Sequence, residues 1–245
     1  MSGVVGIHPN RIAQPTRAER TIGRVSSAAM LLGERTWPDL ERPIVVVPVG
    51  ACEQHGPHLP LATDTVVAEA LADTLAAQRS DCVIAPTLAI TASGEHAGFP
   101  GTLSIGIEVM TDVIVELLRS ADGAHGELDV NGHGGNAAAM RRACEILDRE
   151  GRRVLAWFPH VPNGDLHAGH TETSLLLALR PGLVRVGERT VGPVPDLAEL
   201  VRHGVRALSD SGVLGDPTDA SADDGHRIFD DLSRQLIDAV HDWVG

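Results

Sequence analysis

Glu53, His55 and Asp64 fall within a dozen positions of one another in the stretch Gly50-Ala51-Cys52-Glu53-Gln54-His55-Gly56-Pro57-His58-Leu59-Pro60-Leu61-Ala62-Thr63-Asp64. Glu53 and His55 are two apart, so an extended backbone points both side chains to one side. Gly56, Pro57 and Pro60 break the segment and let it fold back, which brings Asp64 toward them. Two hard oxygen donors and one imidazole suit a divalent ion such as Zn, Mn or Fe. The stretch reads as half of a metal site, with the other half supplied by more distant residues.

Three further segments carry residues of that kind. In Asn131-Gly132-His133-Gly134-Gly135-Asn136 the glycines let the backbone approach a ligand, and Asn136 is placed to cap a following helix. A histidine in such a turn is as readily a turn residue as a ligand. The cluster lacks the GK[ST] ending of a phosphate loop. Asp165 to Ser174 sets His167, His170 and Glu172 within six residues. Glu172 reads either as a ligand or as a first-turn carboxylate favoured by the helix dipole. His170 reads as a solvated loop histidine. Gly94 to Ser104 reads as a binding loop with Glu95 and His96 lining a pocket, or as a purely structural loop.

The elements that position these residues follow from the hydrophobic pattern. Pro43 to Val49 is a continuous apolar run, as expected of a strand buried on both faces of a parallel sheet. Further strands are expected at Cys82–Pro86, Leu128–Asn131 and Val154–Phe158. Helical spacing marks Asp64–Gln78 (capped by Thr63 or Asp64), Ile107–Leu118, Asn136–Arg149, Glu172–Ala178, Pro195–Leu208 and Ile228–Val244. A short helix is expected over Ser26–Gly33, and residues 1–25 read as an extended N-terminal arm ahead of a single domain, 26–245. Alternating strands and helices point to an α/β class with a mostly parallel sheet and helices on both faces. In such sheets ligands sit beyond the carboxyl ends of the strands. Glu53 and His55 follow the first strand, and His133 follows the third.

Composition narrows the chemistry. The net charge of -13 argues against nucleic-acid binding, which needs a basic face. All 20 basic residues are Arg and there is no Tyr, so no Lys Schiff base, Walker lysine or phenolic acid/base is available. Proton transfer then falls to His, Asp, Glu or a metal-activated water. Three scattered cysteines without a CxxC fit a reducing compartment, and no apolar stretch suits a signal peptide or membrane span. A cytoplasmic location is expected. No GxGxxG follows the first strand, which removes a dinucleotide-binding module.

The combination EQHGPHLPLxTD, GEHxxFPGTxS, NGHGGN and HAGxxETS, over roughly residues 44–175, resembles the creatininase family of metal-dependent amidohydrolases. Gly212-Val213-Leu214-Gly215-Asp216-Pro217 resembles its later loop. The resemblance implies a three-layer α/β/α sandwich, a homo-oligomer (hexamer or octamer), and two divalent ions (Zn, Fe or Mn) that activate a water. By motif, Glu53, Asp64 and His133 would hold one ion and His55, Asp64 and Glu172 the other, with His167 carrying a proton to the leaving nitrogen. Creatininase has a glutamate where this chain has Gly135, and Glu172 is the implied replacement. That departure counts against creatinine. The family also includes formamidopyrimidine-type deformylases and the peptidase of the mycofactocin system. The Lys-free, Ala/Arg/Val-rich composition and the lack of an inserted lid segment direct the expectation to a peptide substrate, trimmed by a C-terminal dipeptide. A small cyclic amide or formamide is the enzymatic alternative, and an inactive metal-binding scaffold the non-enzymatic one.

Overall fold

A computed structural model describes residues 30–121 and 123–245. The expected arm, 1–25, and residues 26–29 of the expected first helix lie outside them. Within the rest of that helix, Leu32–Glu34 forms a single 3-10 turn.

Four strands form one all-parallel sheet: β1 (Ile44–Val49), β2 (Cys82–Ile84), β3 (Gly126–Asn131) and β4 (Val154–Trp157), in the order β2-β1-β3-β4. β1 and β3 pair from Ile44↔Gly126 to Val49↔Asn131. The chain leaves β1 for β2 on one side, then crosses to β3 on the other. Its direction of winding therefore reverses between β1 and β3, and the carboxyl ends of those two strands flank the crevice where α/β sheets bind ligands.

Side-chain alternation sends the two faces of the strands into separate apolar layers. Ile44, Val46, Leu128, Val130 and Trp157 pack with α1 (Thr63–Gln78), α4 (His170–Leu179) and α7 (Ala222–Val244). Val47, Val49 and the helices α2 (Gly106–Arg119) and α3 (Ala137–Arg149) form the other layer. The result is the expected α/β/α arrangement. Each fully buried Leu or Ile, such as Leu71, Ile114 or Leu128, contributes about 1.5–3 kcal/mol. Among the described residues no helix is long and apolar enough to cross a membrane.

Local boundaries differ where tertiary contacts compete with propensity. Ala62 is the N-cap of α1 without a side-chain bond, because Thr63 Oγ1 donates instead to Pro60 O. The expected Pro195–Leu208 helix is split into α5 (Leu197–His203) and α6 (Val205–Leu208) by Gly204, whose φ of 71° no helix accommodates. α7 starts six residues before Ile228, at Ala222, where Ser221 accepts a bond from Asp224 N.

One polar residue breaks the apolar rule inside the sheet. Asp129 is buried on β3 on the face toward α2 and α3, and neither carboxylate oxygen has a hydrogen-bond partner. Burial, aided by nearby Glu127, pushes its pKa up to about 7 from 3.8. A raised folded-state value means that folding retains a proton the unfolded chain releases, so stability falls as pH rises from about 4 to 7. Asp129→Asn removes that dependence. It is expected to match the wild type in chemical denaturation near pH 4 and to exceed it by on the order of 2–4 kcal/mol at pH 8. An equal gap at both pH values would contradict a retained proton.

Candidate metal centre

Three loops leave the carboxyl edge of the sheet and are held together by side-chain bonds to backbone. The loop after β1 carries Glu53 and His55, the loop after β2 carries Glu95 and His96, and His133 follows β3. Thr91 Oγ1 and Asn136 Nδ2 both donate to Gly50 O, at 2.7 and 3.0 Å, and Ala92 N donates to Asn136 Oδ1. Asn136 thus ties loops together rather than capping the next helix, for which it makes no side-chain cap bond. Two glycines permit the closest approaches. A Cβ on Gly50 would lie 2.5 Å from Thr65 Cα, and one on Gly132 would lie 2.3 Å from Asp64 O. The start of α1 is therefore pressed against the ends of β1 and β3, which places Asp64 between Glu53 and His133.

The structure brings the five expected ligands together. Donor atoms of Glu53, Asp64 and His133 lie within 4.8 Å of one another, as do those of His55, Asp64 and Glu172. Asp64 belongs to both groups. His55 Nε2 is 3.2 Å from Asp64 Oδ1 and 3.7 Å from Glu172 Oε2, and His133 Nδ1 is 3.5 Å from Asp64 Oδ2. Two ligands on one tetrahedral ion with bonds near 2.05 Å stand about 3.3 Å apart, so these spacings suit shared ions. A third group, Glu53, His55 and His167, overlaps the first two. His167 was expected near the reacting atoms but not among donors of this kind.

Backbone carbonyls orient the rings. His55 Nδ1 bonds Glu53 O at 3.1 Å, His133 Nε2 bonds Ala92 O at 3.1 Å, and His167 Nε2 bonds Gln54 O at 2.7 Å. A carbonyl only accepts, so each of those nitrogens carries the hydrogen. The opposite nitrogens, His55 Nε2, His133 Nδ1 and His167 Nδ1, face carboxylates at 3.2, 3.5 and 3.8 Å, while His133 Nε2 also lies 3.1 Å from Glu53 Oε2 and 3.2 Å from Glu95 Oε1. Such carbonyl bonds are the usual way of aiming a ligating imidazole.

The electrostatics ask for cations. Glu53 is fully buried, and neither of its oxygens, nor Asp64 Oδ2, accepts a well-aligned hydrogen bond, although ring nitrogens of His96 and His133 stand 3.1 Å from Glu53 and His133 Nδ1 stands 3.5 Å from Asp64 Oδ2. Burial pushes Glu53 up to about 8 and Glu172 up to about 7. Burial opposes charge on His55 and His133 as well, but the surrounding carboxylates outweigh it and push both up to about 10. Asp64 is held below the usual carboxylate range, His55 outweighing the effect of its burial. Burial drives His96 down to about 3 and His167 well below 6.5. Buried carboxylates whose charge only imidazole protons balance suit the presence of divalent ions. The donor set of carboxylate oxygens and imidazole nitrogens fits such ions.

The remaining expected residues take distinct places. Glu172 sits in the first turn of α4 and reaches back, its Oε2 accepting from Ala168 N at 2.6 Å; buried Ala168 turns that amide inward with φ of 52°. His96 is buried with Nε2 3.1 Å from Glu53 Oε1, inside the cluster rather than on its open side. Glu95 is more exposed and lies 3.2 Å from His133 Nε2. His170, read as a solvated loop histidine, opens α4 and pairs with Asp219 at 2.9 Å. Two residues stood inside the quoted motifs without a role of their own. Gln54 touches both His96 and His167, and Gly212 lies against Gln54 from a loop more than 150 positions away. Gln54 stood inside the first motif, but an amide between two acid/base residues carries no signal of its own.

Gly135 shows why no side chain stands there. A Cβ would meet Glu95 Oε1 at 2.0 Å, His133 Nε2 at 2.4 Å and Ala92 O at 2.8 Å. The room is taken by Glu95 and by the bond that aims His133. Gly135→Ala is therefore expected to fold but to weaken divalent-ion binding about 10–100-fold, the range for a disturbed supporting contact, read by titration calorimetry. Unchanged affinity would mean that this packing does not hold His133.

A family model described as creatininase, creatinine amidohydrolase, matches residues 33–240. The mycofactocin precursor peptide peptidase of Mycolicibacterium smegmatis is 47% identical over 212 residues, covering 82% of this chain and 85% of that protein. The protein of the same name from Mycobacterium tuberculosis is 46% identical over 217 residues, covering 82% and 86%. Among solved structures, a creatininase variant of Zn-Zn type superposes with a TM-score of 0.74 at 24% identity, covering 88% of this chain and 98% of that one. That likeness establishes the fold.

Proposed function

The chain belongs to the creatininase family and is a metal-dependent amidohydrolase, and from that premise we propose that its substrate is a modified mycofactocin precursor peptide, from which it removes a C-terminal dipeptide. The observation that carries this reading is the 47% identity, over 82% of the chain, to a protein named for that peptide.

In this proposal Glu53, Asp64 and His133 hold one divalent ion and His55, Asp64 and Glu172 hold a second, with Asp64 bridging; Zn, Fe or Mn would each suit the donors. Bound there, such ions lower the pKa of a water toward neutrality and polarise an amide carbonyl. The chain's own residues do the rest. The buried walls exclude bulk solvent, which strengthens each electrostatic contact. His167 Nδ1 lies 3.8 Å from Glu53 Oε1, and the bond of Nε2 to Gln54 O leaves Nδ1 without a hydrogen. It takes the proton of the attacking water as oxygen bonds to the carbonyl carbon. It returns that proton to the leaving nitrogen as the C–N bond breaks, giving a carboxylate and an amine. Glu95, partly exposed beside His133, borders the substrate side.

Assembly and location complete the proposal. Val191, Val194, Leu197 and Val201 expose their apolar side chains within eleven residues. Exposed apolar surface of this kind supports a homo-oligomer; the hexamer or octamer is what the family resemblance implies. Cys52, Cys82 and Cys144 are free, in keeping with the cytoplasm.

Mass spectrometry of the precursor peptide after incubation with metal-loaded protein is expected to show loss of a C-terminal dipeptide. Turnover of creatinine or a formylamino-pyrimidine with the peptide left intact would overturn the substrate. Asp64→Ala is expected to lose both ions by elemental analysis. Full metal content would remove the bridge. His167→Ala is expected to keep its metal and lose about 10²–10⁴-fold in kcat; an unimpaired rate would take His167 out of the reaction.

A further inference from the structure

Gln54 sits between the imidazoles of His96 and His167, and each of its side-chain polar atoms has a defined partner. Its Oε1 accepts from Gly56 N at 2.9 Å. Its Nε2 donates to Gly212 O at 3.1 Å and lies 2.9 Å from His96 Nδ1. Gly56 N can only donate and Gly212 O can only accept, so the orientation of the amide is determined by its neighbours and not by choice of atom labels. The two N–H bonds of Nε2 are then used up, one on Gly212 O and one on His96 Nδ1. His96 Nδ1 must accept, and its hydrogen sits on Nε2, which faces Glu53 Oε1 at 3.1 Å. His167 Nε2, 3.0 Å from the same amide nitrogen, finds no hydrogen left there and donates to the backbone carbonyl of Gln54 at 2.7 Å. Its Nδ1 is left bare toward Glu53.

We propose that Gln54 is a positioning residue that gives the two rings opposite roles: through its side-chain amide His96 presents an N–H to the site, and through its backbone carbonyl His167 presents a lone pair. Both rings carry the hydrogen on Nε2, but they are turned so that different nitrogens face the reacting atoms. Their centroids are 4.3 Å apart, and the His55 ring also packs, tilted, against His167 at 4.3 Å, so the packing of the cluster opposes a ring flip of His167. His96 then serves as a hydrogen-bond donor and His167 as the proton acceptor. Gly212 makes the arrangement possible: a Cβ there would fall 1.8 Å from Gln54 Oε1. The assignment of proton acceptor to His167 rests on the amidohydrolase reading above; the two tautomers do not.

Long-range proton–nitrogen NMR of histidine-labelled, zinc-loaded protein tests this without any substrate, so a failed peptide assay and a wrong tautomer are separate results. Signals are assigned by their loss in His96→Gln and His167→Gln. Both rings are expected as Nε2–H tautomers with Nδ1 of His167 free. A hydrogen on Nδ1 of either ring, or the shift of a zinc-bound nitrogen at His167 Nδ1, overturns the proposal. Gln54→Glu presents an acceptor to His96 Nδ1 and is expected to move the His96 hydrogen there, with zinc content unchanged and kcat reduced at least tenfold at near-constant KM. Unaltered tautomer and kcat in that variant would equally overturn it. The wild-type spectrum decides the tautomers even where a variant fails to fold.

Discussion

Three carboxylates, from Glu53, Asp64 and Glu172, are held around one pocket at the edge of the sheet, and their charge must be balanced inside the protein. Two of them have oxygens that accept no well-aligned hydrogen bond. Left to protons alone, the pocket compensates by pushing His55 and His133 far above their ordinary range and by pushing Glu53 and Glu172 toward neutrality. Burying unpaired charge is among the costliest things a fold can do. Divalent cations would resolve the conflict with the donors already in place, and the family to which the chain belongs is metal-dependent.

The rest of the architecture can be understood as the means of holding that charge cluster. The reversal of winding between β1 and β3 opens the crevice. Gly50 and Gly132 let α1 press on both strand ends, and Asn136 and Thr91 sew the loops to a single carbonyl. Chain separation is no obstacle: Glu172 arrives on a helix more than a hundred residues after Glu53, and Ala168 adopts a left-handed backbone so that its amide can hold it. By contrast the buried Asp129, on the same strand that delivers His133, has no compensating partner among its hydrogen bonds.

Tautomer control links this framework to chemistry. Carbonyls of Glu53, Gln54 and Ala92 each take a ring hydrogen, so the lone pairs that face the carboxylates are determined by main chain. Main-chain atoms move little when a side chain is changed, which makes them a firmer reference than a surface residue. Gln54 extends the same control to His96, the one ring of the cluster whose partner is an amide rather than a carbonyl.

The sequence by itself determined the strands, from β-rich apolar runs; the helices, from spacing; and, through motifs that resemble those of a known family, five candidate donors, from three segments that each end a strand or open a helix. Those signals are local, and local periodicity survives in the order of residues. Helix limits at Gly204 and Ala62, the use of Asn136 as a tie instead of a cap, and the inward placing of His96 were decided only by tertiary packing, because each depends on what a distant segment offers as a partner. Gln54 is the sharpest case. Its neighbours in sequence explain why it sits beside Glu53 and His55, but its role comes from Gly212, His96 and His167, which meet only once the sheet has brought their loops to one edge.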